Sequence, residues 1–120
     1  MIAKRITSVL GMCLIAAILV AAQVSKLDGT WEGKMEHEGR SATVTFEFHV
    51  NGTLLTGKVF RGGHEFGDIK EAKVETNKIA FKVNDVSFEG SFDGDQLKLN
   101  ATDYTGETFA IDASRKKPAS

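Results

Sequence analysis

Cysteine is nearly absent from this chain: Cys13 is the only one, and it lies inside an apolar run. Everything after it must fold without a disulfide, so its stability has to come from core packing. A lipid-attachment signal would place cysteine after a small residue at the end of such a run. Here Met12 precedes Cys13, and apolar residues continue beyond it to Ala22. Several other features are missing. No stretch beyond Leu27 shows the 3.6-residue periodicity of an amphipathic helix. No Gly-x-Ser-x-Gly elbow is present. His37, His49 and His64 are the only histidines, and none of their spacings is that of a metal motif. Arg61-Gly62-Gly63-His64-Glu65 has glycines but no helix pattern after it, so it lacks the parts of a phosphate cradle. With nucleophile, base and metal all unaccounted for, the chain is expected to be no enzyme and to carry no cofactor.

The first residues have the build of an export signal. Lys4 and Arg5 are followed by an uncharged apolar stretch from Ile6 to Ala22 that ends in Val20-Ala21-Ala22. Small residues there suit a signal peptidase, so a helical signal peptide at 1–22 with cleavage before Gln23 is expected. The other reading keeps the segment as a membrane anchor, since it is nearly long enough to span a bilayer. Cleavage leaves 98 of the 120 residues. The full chain has 15 basic and 16 acidic residues; without Lys4 and Arg5, 13 face 16. A slight, interspersed negative balance suits an exported soluble surface, periplasmic or extracellular. It argues against nucleic acid as a partner and leaves no membrane contact after cleavage.

What the remainder does have is alternation. Ala42, Val44, Phe46, Phe48 and Val50 interleave with Thr43, Thr45, Glu47 and His49. Ile79, Phe81 and Val83 do the same, as do Val86, Phe88, Gly90 and Phe92, and then Leu97, Leu99 and Ala101. Period two marks strands with one face in a core and one in water. Turn signals separate them: Glu38-Gly39-Arg40, Asn51-Gly52, Arg61-Gly62-Gly63, Thr76-Asn77, Asn84-Asp85, Asp93-Gly94-Asp95 and Thr105-Gly106. Asn51-Gly52 is the strongest, because both residues tolerate the positive φ of a tight hairpin. The expected strands are 30–37, 41–50, 54–60, 66–75, 79–83, 86–92, 96–103 and 107–114. Ile69, Ala72 and Val74 do not share one phase, which predicts a bulge in the fourth. Short connections make sequence neighbours pair in space. Closing the meander removes its edges, so the fold expected is all-β: a single antiparallel up-and-down barrel of about eight strands over 30–114. A two-sheet sandwich is the alternative. Residues 23–29 form a lead-in, and the tail 115–120 should fray.

The first strand opens on Gly29-Thr30-Trp31, and Arg115 follows the last. In these two features the chain resembles the calycin superfamily, the lipocalin-like and avidin-like barrels. The resemblance implies that Arg115 lies across Trp31 at the closed end of the barrel, as a structural plug. Thr102-Asp103-Tyr104 matches the second lipocalin motif in letters. It falls between the seventh and eighth strands, at the opposite end from the family's position, so either the strand count is off by one or the match is chance, and chance is the preferred reading. The chain is also shorter than typical members and lacks their cysteines and C-terminal helix.

Phe46, Phe48, Phe81, Phe88, Phe92 and Phe109 share the inward phase with Trp31, Met35, Val44, Val59, Leu97, Leu99 and Ile111. An eight-stranded barrel is just wide enough to be filled by such side chains or to hold one small ligand. Two functions follow. One is an exported, lipocalin-like binding module for a small apolar or amphipathic ligand. The other is an exported interaction barrel with a filled core and a protein or glycan partner. In a meander, alternate turns gather at opposite ends. The turns at 38–40, 61–65, 84–85 and 104–106 share the end away from Trp31. Binding residues tend to sit on loops held by a rigid scaffold. The candidate ligand contacts are therefore His37, Arg40, Arg61, His64, Asp85 and Tyr104, with His37 pointing inward beneath the others. His49 alternates onto the solvated face. Asn51-Gly52-Thr53 and Asn100-Ala101-Thr102 fit the glycosylation acceptor pattern, which matters only in a eukaryotic secretory pathway.

Overall fold

The computed structural model describes Val24 and residues 26–116. The expected signal segment, its cleavage point and the tail beyond Lys116 lie outside the described residues. Among the described residues, nine strands make one antiparallel sheet: β1 (Gly29–His37), β2 (Arg40–Asn51), β3 (Leu54–Arg61), β4 (His64–Asp68), β5 (Lys70–Glu75), β6 (Lys78–Val83), β7 (Val86–Asp93), β8 (Gln96–Thr102) and β9 (Thr108–Arg115). Their order is β4-β3-β2-β1-β9-β8-β7-β6-β5. First and last strands therefore meet, with Trp31 opposite Arg115 and Met35 opposite Ile111. The sheet curls into a nearly closed barrel, as the short turns and the need to cover edges require.

The count rises from eight to nine because the expected fourth strand breaks in two. Its first half, β4, pairs with β3, and its second half, β5, pairs with β6. Between them the buried Ile69 donates its N–H to the Gly57 carbonyl at 2.9 Å. The Asn84 side-chain amide donates to the Phe66 carbonyl at 2.8 Å. These two bonds tie the halves across the seam. The predicted irregularity is here: the β5–β6 register shifts between Lys70 and Lys73, and Glu71 has a φ of 53°. A bulge of this kind turns a strand sharply enough to serve two neighbours.

Inward-facing residues form one core from end to end. Trp31, Val44, Phe46, Phe48, Val59, Phe81, Phe88, Phe92, Leu97, Leu99 and Ile111 are all buried, and among the described residues no polar side chain is. Phe46 and Phe81 are central: Phe46 lies against Phe48, Phe81 and Phe88 at 5.8, 6.2 and 6.0 Å between ring centres, and Phe81 stacks on Phe88 at 4.9 Å. Two inward glycines allow the wall to curl. A Cβ on Gly57 or on Gly90 would stand 1.8 Å from a neighbouring strand's carbonyl oxygen. Phe48 stands opposite Gly57, whose missing side chain lets the Glu47 carbonyl approach.

The end holding Trp31 is sealed. Val24 and Leu27 from the lead-in are buried against the core. Trp31 is fully buried, and its indole N–H donates to the Leu27 carbonyl at 2.9 Å. The Arg115 guanidinium lies 4.3 Å from the Trp31 ring centre. It also donates to the carbonyls of Asp28 (2.6 Å) and Lys26, and to the Asp95 carboxylate at 2.9 Å. The terminal boundary drawn from sequence is corrected here. Arg115 is not the first residue of a fraying tail but the last of β9, and Lys116 beyond it still donates to the Thr30 carbonyl.

Candidate binding site at the open end

At the other end, the inward side chains leave the barrel unfilled. Along β1 the row is Trp31, Gly33, Met35, His37; along β8 and past its end it is Leu97, Leu99, Ala101, Asp103. On β3, Arg61 follows Val59. Each of these rows ends on one polar residue at the rim. The result is a cavity of about 240 Å³. Val44, Val59, Phe88 and Ile111 close it from below, and Phe66, Val86 and Phe109 form its sides. His37, Arg61 and Asp103 edge it. Met35 and Phe109 are only half-buried because they face this space rather than a packed neighbour.

His37 is held between aromatic and acidic groups. Its ring meets Phe109 edge-on at 4.6 Å between centres. Its two nitrogens lie 3.7 Å from Glu38 and 3.6 Å from Glu107 carboxylate oxygens. Asp103 organises the loop between β8 and β9. One carboxylate oxygen accepts from the Thr105 N–H at 2.9 Å, the Thr105 hydroxyl at 2.5 Å and the Glu107 N–H at 3.1 Å. These bonds favour the ionised form, the Thr105 hydroxyl most, and hold the Asp103 carboxyl below its ordinary value against some desolvation. The match of Thr102-Asp103-Tyr104 to a family motif thus has a local account: Asp103 is the residue that closes this turn.

Of the six residues singled out from sequence, His37 and Arg61 edge the cavity. Arg40 pairs with His37 and His64 with Arg61 across the two hairpins, but both are exposed and outside the lining, as is Asp85. Tyr104 is 84% exposed at the tip of its loop. Of Tyr104, His64 and Arg61, only Arg61 reaches the cavity. Phase would have found the residue that was missed: Asp103 is two positions beyond the inward Ala101. Of the nine apolar lining residues, all but Phe66 are legible as inward positions, though not as cavity walls. Among the described residues, no group of three or more His, Cys, Asp or Glu is gathered as a metal site would need.

The chain matches no known family and no curated protein. Among solved structures it is similar to a redesigned β-barrel, with a TM-score of 0.56 and 16% identity over 79% of this chain and 96% of that one. At that identity the likeness is one of fold alone, and it agrees with the barrel described above.

Proposed function

We propose that this chain is an exported, non-enzymatic, lipocalin-like binding module that holds a small apolar or amphipathic ligand in the hollow end of its barrel. One observation carries the reading. The core, packed tightly around Phe46 and Phe81, gives way at one end to an apolar cavity of about 240 Å³ with a polar rim. Its volume lies below the roughly 300 Å³ at which ligand pockets usually begin, so the ligand must be small. The calycin comparison is supported by the closed end, where Arg115 covers Trp31 as that resemblance implies. Export is supported by Lys4, Arg5 and the apolar run that follows them.

The test is native mass spectrometry of the protein purified from its source, beside a Val86→Trp variant that fills the cavity. A small adduct on the parent that is missing from the variant is the expected result, together with an N-terminus at or near Gln23. A parent that runs at its bare mass, alone or with a protein partner, would establish the interaction barrel instead. Intact Met1 in a soluble cytoplasmic fraction would refute export.

A further inference from the structure

We infer that the ligand is an anionic amphiphile, a short acyl or aryl chain ending in a carboxylate or similar acid, and that Arg61 receives its head. This rests on the binding reading above and adds the chemical class. Arg61 pairs with Val44 and follows Val59, and both of these close the cavity from below. Its side chain therefore rises from an apolar wall at the mouth, not from the outer surface of the barrel. Among the described residues, no carboxylate lies within 4.0 Å of it; the ion pairs present involve His37, Lys58, Lys82, Arg115 and Lys116.

The acids at the mouth are differently placed and differently occupied. Asp103 is bound by its own loop, and Glu38 and Glu107 flank His37. The strand order sets them apart from Arg61. With β4 and β5 counted as one kinked strand, β3 and β8 stand four steps apart in either direction around the barrel. Arg61 and Asp103 thus occupy opposite walls. Among the groups that edge the cavity, Asp103 is engaged by its own loop, whereas Arg61 has no carboxylate partner among the described residues. An acid entering tail first would lay its head on the β3 wall, where a guanidinium can bind two oxygens at once. At the ~30 Å³ a water-sized group occupies, the cavity holds on the order of eight such groups. That matches a chain of medium length and excludes a long one.

Isothermal titration of the full protein with three probes of one tail length tests this: sodium octanoate, 1-octanol and octylammonium chloride. Octanoate should bind about tenfold more tightly than octanol, with octylammonium weakest. Added salt should narrow the gap. In Arg61→Gln, an exposed position that leaves the core untouched, octanoate should fall to within about twofold of octanol while octanol is unchanged. Val86→Trp should lose all three. Equal binding of octanoate and octanol by the parent, a preference that survives Arg61→Gln, or tightest binding of octylammonium would overturn the inference and leave the binding module standing. No binding of any probe by the parent would overturn both.

Discussion

Trp31 and Phe109 are large aromatic residues on adjacent strands, facing the same interior from opposite ends of the barrel. Trp31 is fully buried beneath a guanidinium that has three further oxygen partners, while Phe109 is half-buried and edges a cavity. The same eight rows of inward side chains reach both ends, so strand packing alone does not produce the difference. It comes from what each end receives in addition. The closed end receives Val24 and Leu27 from the lead-in and Arg115 from β9. The open end receives only turns, and the residues that line it on β2, β7 and β8 include the small Val44, Val86 and Ala101. One end contributes stability; the other keeps space.

If that division holds, the same substitution should cost unequal amounts along the barrel. Phe46→Ala removes a fully buried ring that touches three others, and should destabilise by about 3–5 kcal/mol in urea unfolding. Phe109→Ala removes a half-buried ring beside existing space, and should cost about 1 kcal/mol. Equal costs would mean that the open end is as well packed as the centre.

Arg115→Ala should come next in size, at about 2 kcal/mol, since it strips the plug of two carbonyl contacts, the Asp95 pair and the stack on Trp31. Trp31 emission should move to the red as water reaches the ring. Unchanged emission and stability would remove the plug from the comparison, and with it the main support for the calycin resemblance.

The smallest effect belongs to the open end. The Asp103 carboxyl sits below its ordinary value of 3.8 in the folded chain, chiefly through the Thr105 hydroxyl. Its stabilisation is therefore present above that ordinary value and is lost as pH falls through the lower, folded one. Asp103→Asn should flatten this part of the acid limb of the stability curve while leaving neutral-pH melting of the closed end little changed. An acid limb identical in parent and variant would show that the loop bonds do not persist in solution.

Much of this was readable in one dimension. Alternation identified the inward face of seven strands because period two has only two phases, and the apolar one must be buried. The glycine- and asparagine-rich turns placed the hairpins, and parity then assigned turns to ends. The fourth strand was not readable as two. Its apolar residues change phase at Ile69, and only closure of the sheet shows that the break lets one segment serve β3 and β6. Arg115 was assigned to both plug and tail, because a strand's last residue has no period of its own. Tyr104 looked like a site residue by its chemistry, yet its loop points it into solvent.

By itself, then, the sequence determined the class of fold, the inward face of every strand but the fourth and which turns share an end, since these depend on local periodicity and on chain parity. Tertiary structure alone decided that one end is filled and the other hollow, and which polar residues overlook the hollow. Those outcomes depend on summed side-chain volumes from strands far apart in the chain, and on the reach of a lead-in and a terminal arginine that only the closed barrel brings together.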